Sequence, residues 1–342
     1  MPENISKTIS FAIVGYGHIG KRHAAMVEQN PETELSAIID VKSKDELGLA
    51  DSKTDFYPSL EDLLKASPKI DVVTIATPNG LHATQAIAAL KAGYHVVIEK
   101  PMALSTVEAE AIIHQSMQSS REVFVVKQNR YSPPSQWIKE IVESKRLGRI
   151  FTIQINCFWN RDERYYIPES WHGKIDLDGG TLFTQFSHFI DTLFWLFGDV
   201  DILSSTMKDY NHQELTDFED TGVVVFKTNE GALGTFNFTT SVAEKNFEST
   251  LTIIGKNGTV RLGGQYMNEV TYCEVKDYKL PTLATTNAPN DYGLYKGSAA
   301  NHHFVIQNVV DALKGRKPKT TNGLEGMKVV NIIERMYNVS KA

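Results

Sequence analysis

Four short runs hold residue types able to move a hydride and a proton. Gly15-Tyr16-Gly17-His18-Ile19-Gly20 has the spacing that lets main chain approach a pyrophosphate at a helix N-terminus. Asp40 lies 20 residues beyond Gly20, where a carboxylate accepts hydrogen bonds from a ribose diol. Glu99-Lys100-Pro101 offers an ammonium that can hydrogen-bond a hydroxyl under oxidation and that shifts toward its neutral form when partly desolvated. His188, in the run from Asp178-Gly179-Gly180 to Ser187-His188, offers an imidazole that titrates near neutral pH and takes the hydroxyl proton while hydride leaves the same carbon. Together these are the parts of a dinucleotide-linked alcohol oxidation. The plainer alternatives are a solvated strand-end carboxylate at Asp40, a solvated lysine at Lys100, and a helix-start histidine satisfied by Asp191 one turn on. The charge of Asp40 repels the 2'-phosphate of NADP, so NAD is the expected cofactor, although Lys42 is close by.

The elements that must carry these residues are legible in the hydrophobic pattern. Ile9 to Val14, Glu34 to Ile39, Asp71 to Ala76, Tyr94 to Ile98 and Val123 to Val126 read as buried parallel strands. Helical patterns lie between them at Ile19 to Gln29, Ser59 to Ala66, Leu81 to Ala92 and Thr106 to Gln118. Such alternation means βαβ units and a doubly wound sheet, with ligands at the carboxyl ends of the strands. Thr77-Pro78-Asn79-Gly80-Leu81-His82 then borders the cofactor through Thr77, Asn79 and His82, with a locally satisfied first-turn histidine as the alternative for His82. Glu99 and Lys100 end the Tyr94 to Ile98 strand on the same edge.

Beyond about Arg130 the pattern changes. A helix starts near Pro134, and strands are expected at Ile150 to Trp159, Thr221 to Lys227, Leu233 to Thr240, Ser249 to Ile254 and Thr259 to Leu262. Lys256-Asn257-Gly258 supplies a tight hairpin turn, a helix over Ser187 to Phe197 packs on the sheet, and Phe304 to Leu313 and Leu324 to Tyr337 close the chain as helices. The expected fold class is α/β, with a Rossmann dinucleotide-binding domain at 1–128 and an α+β domain on an open, mostly antiparallel sheet at 129–342.

Composition narrows the partners. With 342 residues, 22% charged and 42% hydrophobic, the chain is an ordinary globular one of two-domain length. A net charge of -6 argues against a nucleic-acid or anionic-membrane binder, and a small-molecule partner fits better. Cys157 and Cys273 have no disulfide or metal spacing, and no run of His and carboxylates has ligand spacing, so no metal is expected. Met1 to Ser10 lack a basic and an apolar leader region, no apolar run approaches a membrane span, and the chain reads as cytoplasmic.

The set GYGHIG, EKPMA, VVKQNR, SWHGK, DGGTLFTQFSH and GTVRLGG, in this order and spacing, resembles the Gfo/Idh/MocA oxidoreductase family over essentially the whole chain. Within that family the likeness extends to the WlbA-type UDP-N-acetyl-2-amino-2-deoxyglucuronate 3-dehydrogenases, in VVKQNR, Tyr165-Tyr166 before Trp171-His172-Gly173, and the DGG segment with Gln185 and Ser187-His188. The resemblance implies NAD-dependent oxidation of a sugar C3 hydroxyl to a 3-keto sugar for surface polysaccharide, with Lys100 and His188 as the catalytic pair. It also implies a homo-oligomer, dimer or tetramer, formed through the open sheet. A UDP-linked aminouronate brings a diphosphate and a carboxylate, for which Lys127, Asn129, Arg130, Arg161, Arg164, Tyr165 and Tyr166 are the pool. Lys127 and Asn129 are expected to reach the sugar, Arg161 and the tyrosines the nucleotide, and Thr184, Gln185 and Ser187 the substrate beside His188. Trp159 and Trp171 read either as stacking platforms or as packing. Thr184 stands where the family usually has Asp and WlbA-like sequences Asn, and His172 where an Arg follows the Trp, which loosens the substrate more than the chemistry. The alternatives are oxidation of a free sugar or inositol, and a non-catalytic NAD-dependent regulator.

Overall fold

The computed structural model describes residues 8–291, 293 and 295–341. Most of the segment Met1 to Ser10, read above for a leader, therefore lies outside the described residues. The contacts divide the chain into two compact units: residues up to Lys127 with His302–Val330, and Gln128–Asn301 with the residues from Asn331 onward.

The first unit runs β1 (Ile9–Val14), α1 (His18–Gln29), β2 (Thr33–Ile39), β3 (Asp55–Tyr57), α2 (Leu60–Ala66), β4 (Val72–Ile75), α3 (His82–Lys91), β5 (His95–Ile98), α4 (Thr106–Ser119) and β6 (Val123–Val125). All six strands are parallel in the order β3-β2-β1-β4-β5-β6, the doubly wound order whose direction reverses between β1 and β4. Strands buried on both faces read as continuous apolar runs, as every residue of β1 is here. Ser59 and Ser105 cap α2 and α4 by accepting the amides of Asp62 and Glu108, contacts worth about 1 kcal/mol each. The sequence reading lacks only β3, a three-residue edge strand with no buried position.

Register puts the chemistry in one row. Val14 lies opposite Ile39 and Ile75, Ile75 opposite Ile98, and Ile98 opposite Val125. The next residues, Gly15, Asp40, Ala76, Glu99 and Val126, therefore leave the sheet along the same carboxyl edge.

The second unit holds α5 (Pro133–Glu143), β7 (Ile150–Phe158), α6 (Ile175–Asp178), α7 (Thr181–Thr184), α8 (Ser187–Phe197), β8 (Val200–Lys208), β9 (Thr221–Thr228), β10 (Leu233–Thr239), β11 (Glu248–Gly255), β12 (Gly258–Gly263), β13 (Glu269–Val275), β14 (Pro289–Asp291) and β15 (Lys296–Ala299). Seven strands form one sheet, β13-β12-β11-β7-β10-β9-β8, antiparallel except for the parallel pair β7 and β10. The hairpin between β11 and β12 turns through Lys256-Asn257. On one face Phe186 meets Phe238 at 5.7 Å and Phe189 meets Trp159 at 5.7 Å, which seats α8 on the sheet. The other face is mixed, with Asn237 donating to Asn156 and Asn156 to Thr250 across adjacent strands beside exposed Val223, Leu233 and Ile254. The edge strands β8 and β13 escape the sequence reading because both are largely exposed, which removes the alternation that marks a half-buried strand.

The chain ends with α9 (His302–Leu313) and α10 (Gly323–Lys341). The sequence reading puts all of 129–342 in the second domain, whereas His302–Val330 clusters with the first unit. Lys314 and Arg316 pair with Glu32, Asn322 bridges to Phe124, and Gly326 meets Met102 and Val125 so closely that a Cβ would collide. None of these long-range contacts leaves a periodic trace in sequence.

Candidate active site

The glycine turn is built for close approach. Gly15 has φ +86, and a Cβ there would stand 2.7 Å from the Ala76 carbonyl oxygen. A Cβ on Gly20 would collide with the carbonyl oxygen of Gly15, so this glycine lets α1 pack onto the turn. Around Gly17, the N-cap of α1, there is open space, with no atom within 4 Å of its Cβ direction. Tyr16 and Ile19 are half-buried and His18 is exposed. Asp40 accepts the amide of Tyr16 at 2.6 Å and that of Lys42 at 2.9 Å, one on each oxygen, which fixes the carboxylate beside the turn.

Further along this edge, His82 is wholly buried, its Nδ1 2.7 Å from the carbonyl of Pro101 and its Nε2 2.9 Å from that of Thr77. Burial pushes its pKa down, and the two carbonyls pull it back up. With both ring nitrogens on main chain, His82 corrects the expectation of a cofactor contact: it staples the turn after β4 to the turn after β5. Thr77 donates to Gln85, and Asn79 is buried in the turn. Lys100 is half-buried, and its amide donates to Glu99 Oε2 at 3.2 Å. Lys127, the last residue of this part of the unit, is 3% exposed.

In the second unit, Gln128–Tyr131 form a single 3₁₀ turn before α5. Arg130 clasps Asp191 of α8 through Nε and Nη2 at 2.8 and 2.7 Å, both side chains buried. The carboxylate one turn beyond His188 in sequence thus receives the arginine fork. His188 Nε2 lies 3.4 Å from Gln128 Nε2. Gln128 Oε1, Asn129 Oδ1 and Ser187 Oγ are buried with no hydrogen-bond partner among the described residues. Leaving such atoms unsatisfied costs about 1–3 kcal/mol each, so these three, with Gln128 in reach of His188 and Ser187 its chain neighbour, mark a place for a polar ligand.

Several expected substrate contacts are spent internally. Arg161 is 3% exposed, donates to Gln185 Oε1, Asn246 Oδ1 and the carbonyls of Asn160 and Lys296, and lies against the rings of Trp159, Tyr165 and Tyr295. It organises this unit instead of reaching outward for a nucleotide. Gln185 also donates to Tyr165 Oη at 2.8 Å, and Tyr166 packs with Phe218 in the same buried cluster. Burial pushes both tyrosine hydroxyls above their ordinary pKa. Thr184 Oγ1 donates to Asp178, whose other oxygen accepts the Gly173 amide. Arg164 is exposed and pairs with Asp162. Trp171 stacks on His172, which lies on Tyr165. Sequence reasoning gave no role to Gln128, Asp178 and Asn246; Gln128 and Asp178 sat inside quoted motifs, whereas Asn246 carries no spacing that links it to the site.

Two family models match the chain: the Gfo/Idh/MocA "Oxidoreductase family, NAD-binding Rossmann fold" at residues 9–127 and the GFO/IDH/MocA C-terminal domain at 135–261. The chain belongs to the Gfo/Idh/MocA oxidoreductase family. Among solved structures it is similar to the WlbA dehydrogenase of Bordetella pertussis in complex with NADH and UDP-GlcNAcA, at 32% identity and a TM-score of 0.87, covering 98% of this chain and 97% of that one. The WlbA dehydrogenase of Chromobacterium violaceum, also with NADH and UDP-GlcNAcA, is 32% identical with a TM-score of 0.87, covering 100% and 96%. The myo-inositol 2-dehydrogenase of Thermotoga maritima is 25% identical over 258 residues, 72% of this chain and 73% of its own.

As a Gfo/Idh/MocA oxidoreductase the chain takes NAD as cofactor. The first unit fits that group on its own evidence: the space in front of Gly17 admits phosphate at the N-terminus of α1, and the carboxylate of Asp40 is held where a ribose diol would meet it. No helix among the described residues is long and apolar enough to cross a membrane.

Proposed function

We propose that this oxidoreductase oxidises a ring hydroxyl of a nucleotide-linked sugar, the C3 hydroxyl of a UDP-N-acetyl-2-amino-2-deoxyglucuronate, to the ketone. The likeness to two WlbA dehydrogenases along the full chain, each solved with UDP-GlcNAcA, carries the substrate class. The unsatisfied buried atoms of Gln128, Asn129 and Ser187 beside His188 support a polar, hydroxyl-rich ligand in that unit. NAD, when bound, supplies the hydride acceptor. Lys100 donates a hydrogen bond to the reacting oxygen and stabilises the charge that develops there, and His188 takes the hydroxyl proton. Asn129 and Gln128 orient the ring, and Lys127 supplies cationic charge for an anionic group of the substrate. Exposed Val223, Leu233 and Ile254 on the second unit's sheet support pairing with another copy, as a dimer or tetramer.

The test is NADH formation at single-turnover enzyme concentration with UDP-N-acetylglucosaminuronate, UDP-N-acetylglucosamine, myo-inositol and glucose. Reduction confined to the uronate supports the proposal. Reduction by inositol or glucose without a nucleotide requirement replaces it with the second reading, a free-polyol dehydrogenase, which the likeness to the Thermotoga enzyme favours.

A further inference from the structure

The first unit buries a second set of chemistry-bearing side chains beside Lys100. His23 on α1, Glu99 after β5 and His302 at the start of α9 each bring one polar atom within 4.8 Å of the others, and all three are buried. His23 Nε2 donates to Glu99 Oε1 at 2.7 Å, and His302 Nε2 stands 3.6 Å from that same oxygen. The two imidazoles meet edge to face, with centroids 5.3 Å apart. The second oxygen of Glu99 takes the amide N–H of Lys100. Burial alone would raise the Glu99 carboxyl, but the hydrogen bond from His23 and the nearby His302 imidazole outweigh it and hold the group well below the usual carboxylate range. The site therefore contains a buried anion that survives only because donors face it, and His23 is the nearest.

We propose that His23 is a positioning residue for Lys100: it holds the Glu99 carboxylate, which holds the Lys100 amide, so that the lysine is tied to the helix that opens on the glycine turn. His82 holds the other side through the carbonyl of Pro101, so main chain on both sides of the lysine is gripped by buried side chains. The inference rests on the reading of Lys100 as a catalytic group. Without His23, Glu99 loses its shortest partner, and the lysine's amide loses a fixed acceptor; displacement of a reacting group by about 1 Å lowers turnover about 100-fold. Two imidazoles and a carboxylate are also a donor set for a divalent transition metal. The 2.7 Å separation is that of an N–H···O hydrogen bond, which puts a proton between the two atoms.

The experiment compares the full-length wild type with His23→Leu and with His23→Gln, whose amide reaches about as far as Nε2. Should His23→Leu not fold, His23→Asn, which stays polar but falls short of Glu99, replaces it. Four quantities are read: metal content by plasma mass spectrometry, the NAD dissociation constant, kcat with the uronate, and the rate at which acetic anhydride labels Lys100 relative to the exposed Lys65. The expected result is no stoichiometric metal, NAD affinity within about 3-fold of wild type, kcat lowered about 10- to 100-fold in His23→Leu with recovery in His23→Gln, and a Lys100 labelling rate altered only where the donor is lost. An unchanged kcat and labelling rate in a folded His23→Leu overturns the proposal. So does a loss that His23→Gln fails to restore, or one metal ion per chain. If the wild type forms no NADH, the substrate reading has failed, and the Lys100 labelling still decides the role of His23.

Discussion

The hydroxyl of Tyr337 on α10 donates to Glu219 Oε1 at 2.7 Å and accepts the amide of Leu182 at 3.1 Å. One phenol thereby ties the segment before β9 to the short helix α7 that leads into His188. Gly180, at φ +112, leaves the room that this hydroxyl fills, and Thr181 donates to the Glu219 carbonyl.

This pair makes stability depend on pH. Burial pushes the Glu219 carboxyl up to about 7, against a hydrogen bond from Tyr337 that lowers it. A carboxyl raised in the folded state leaves stability intact below the unfolded value of 4.5 and removes it as pH climbs to about 7. At about 1.36 kcal/mol per unit the loss is at most on the order of 3 kcal/mol, less what solvent screens at this partly buried group. Glu219→Gln should flatten that slope, so urea denaturation of both proteins at pH 4.5 and pH 8 checks it; parallel pH profiles would count against the assignment.

The second and third glycines of the motif should separate cleanly. Gly17→Ala has open space around the new methyl and is expected to keep its Tm while losing NAD affinity, because the methyl enters the space in front of the N-terminus of α1. Gly20→Ala drives a methyl into the Gly15 carbonyl and should destabilise the fold by about 1–3 kcal/mol before any cofactor is added. Thermal melts with and without NAD distinguish the two.

Asp191→Ala leaves the buried Arg130 guanidinium without its carboxylate and is expected to cost about 3–5 kcal/mol. The double variant Arg130→Met with Asp191→Leu should recover most of that, measured as the shift in denaturation midpoint. No recovery would mean that the pair does more than neutralise itself.

His188→Asn is expected to lower kcat about 10²- to 10⁴-fold, the range for losing a general base, with NAD binding unchanged because the imidazole belongs to the second unit. Isothermal titration with NAD and stopped-flow NADH formation read the two effects separately.

The sequence by itself determined the parallel sheet of the first unit, because strands buried on both faces leave continuous apolar runs and the intervening helices leave their own period. It also determined the glycine turn, Asp40, and the lysine after β5, because each sits at the end of a recognisable strand and local spacing carries its meaning. Only the tertiary structure decided which polar groups are already spent. Arg161 and His82 look like ligand contacts in a linear chain, yet they bond to Gln185 and to the carbonyl of Pro101 on other segments, and such a bond has no periodic signature. The same holds for His23, Glu99 and His302, separated by 76 residues between the first two alone, whose meeting depends on α9 folding back onto the first unit. Edge strands β8 and β13 were hidden for the converse reason: exposure removes the alternation that reveals a strand, and only pairing to a neighbour defines them.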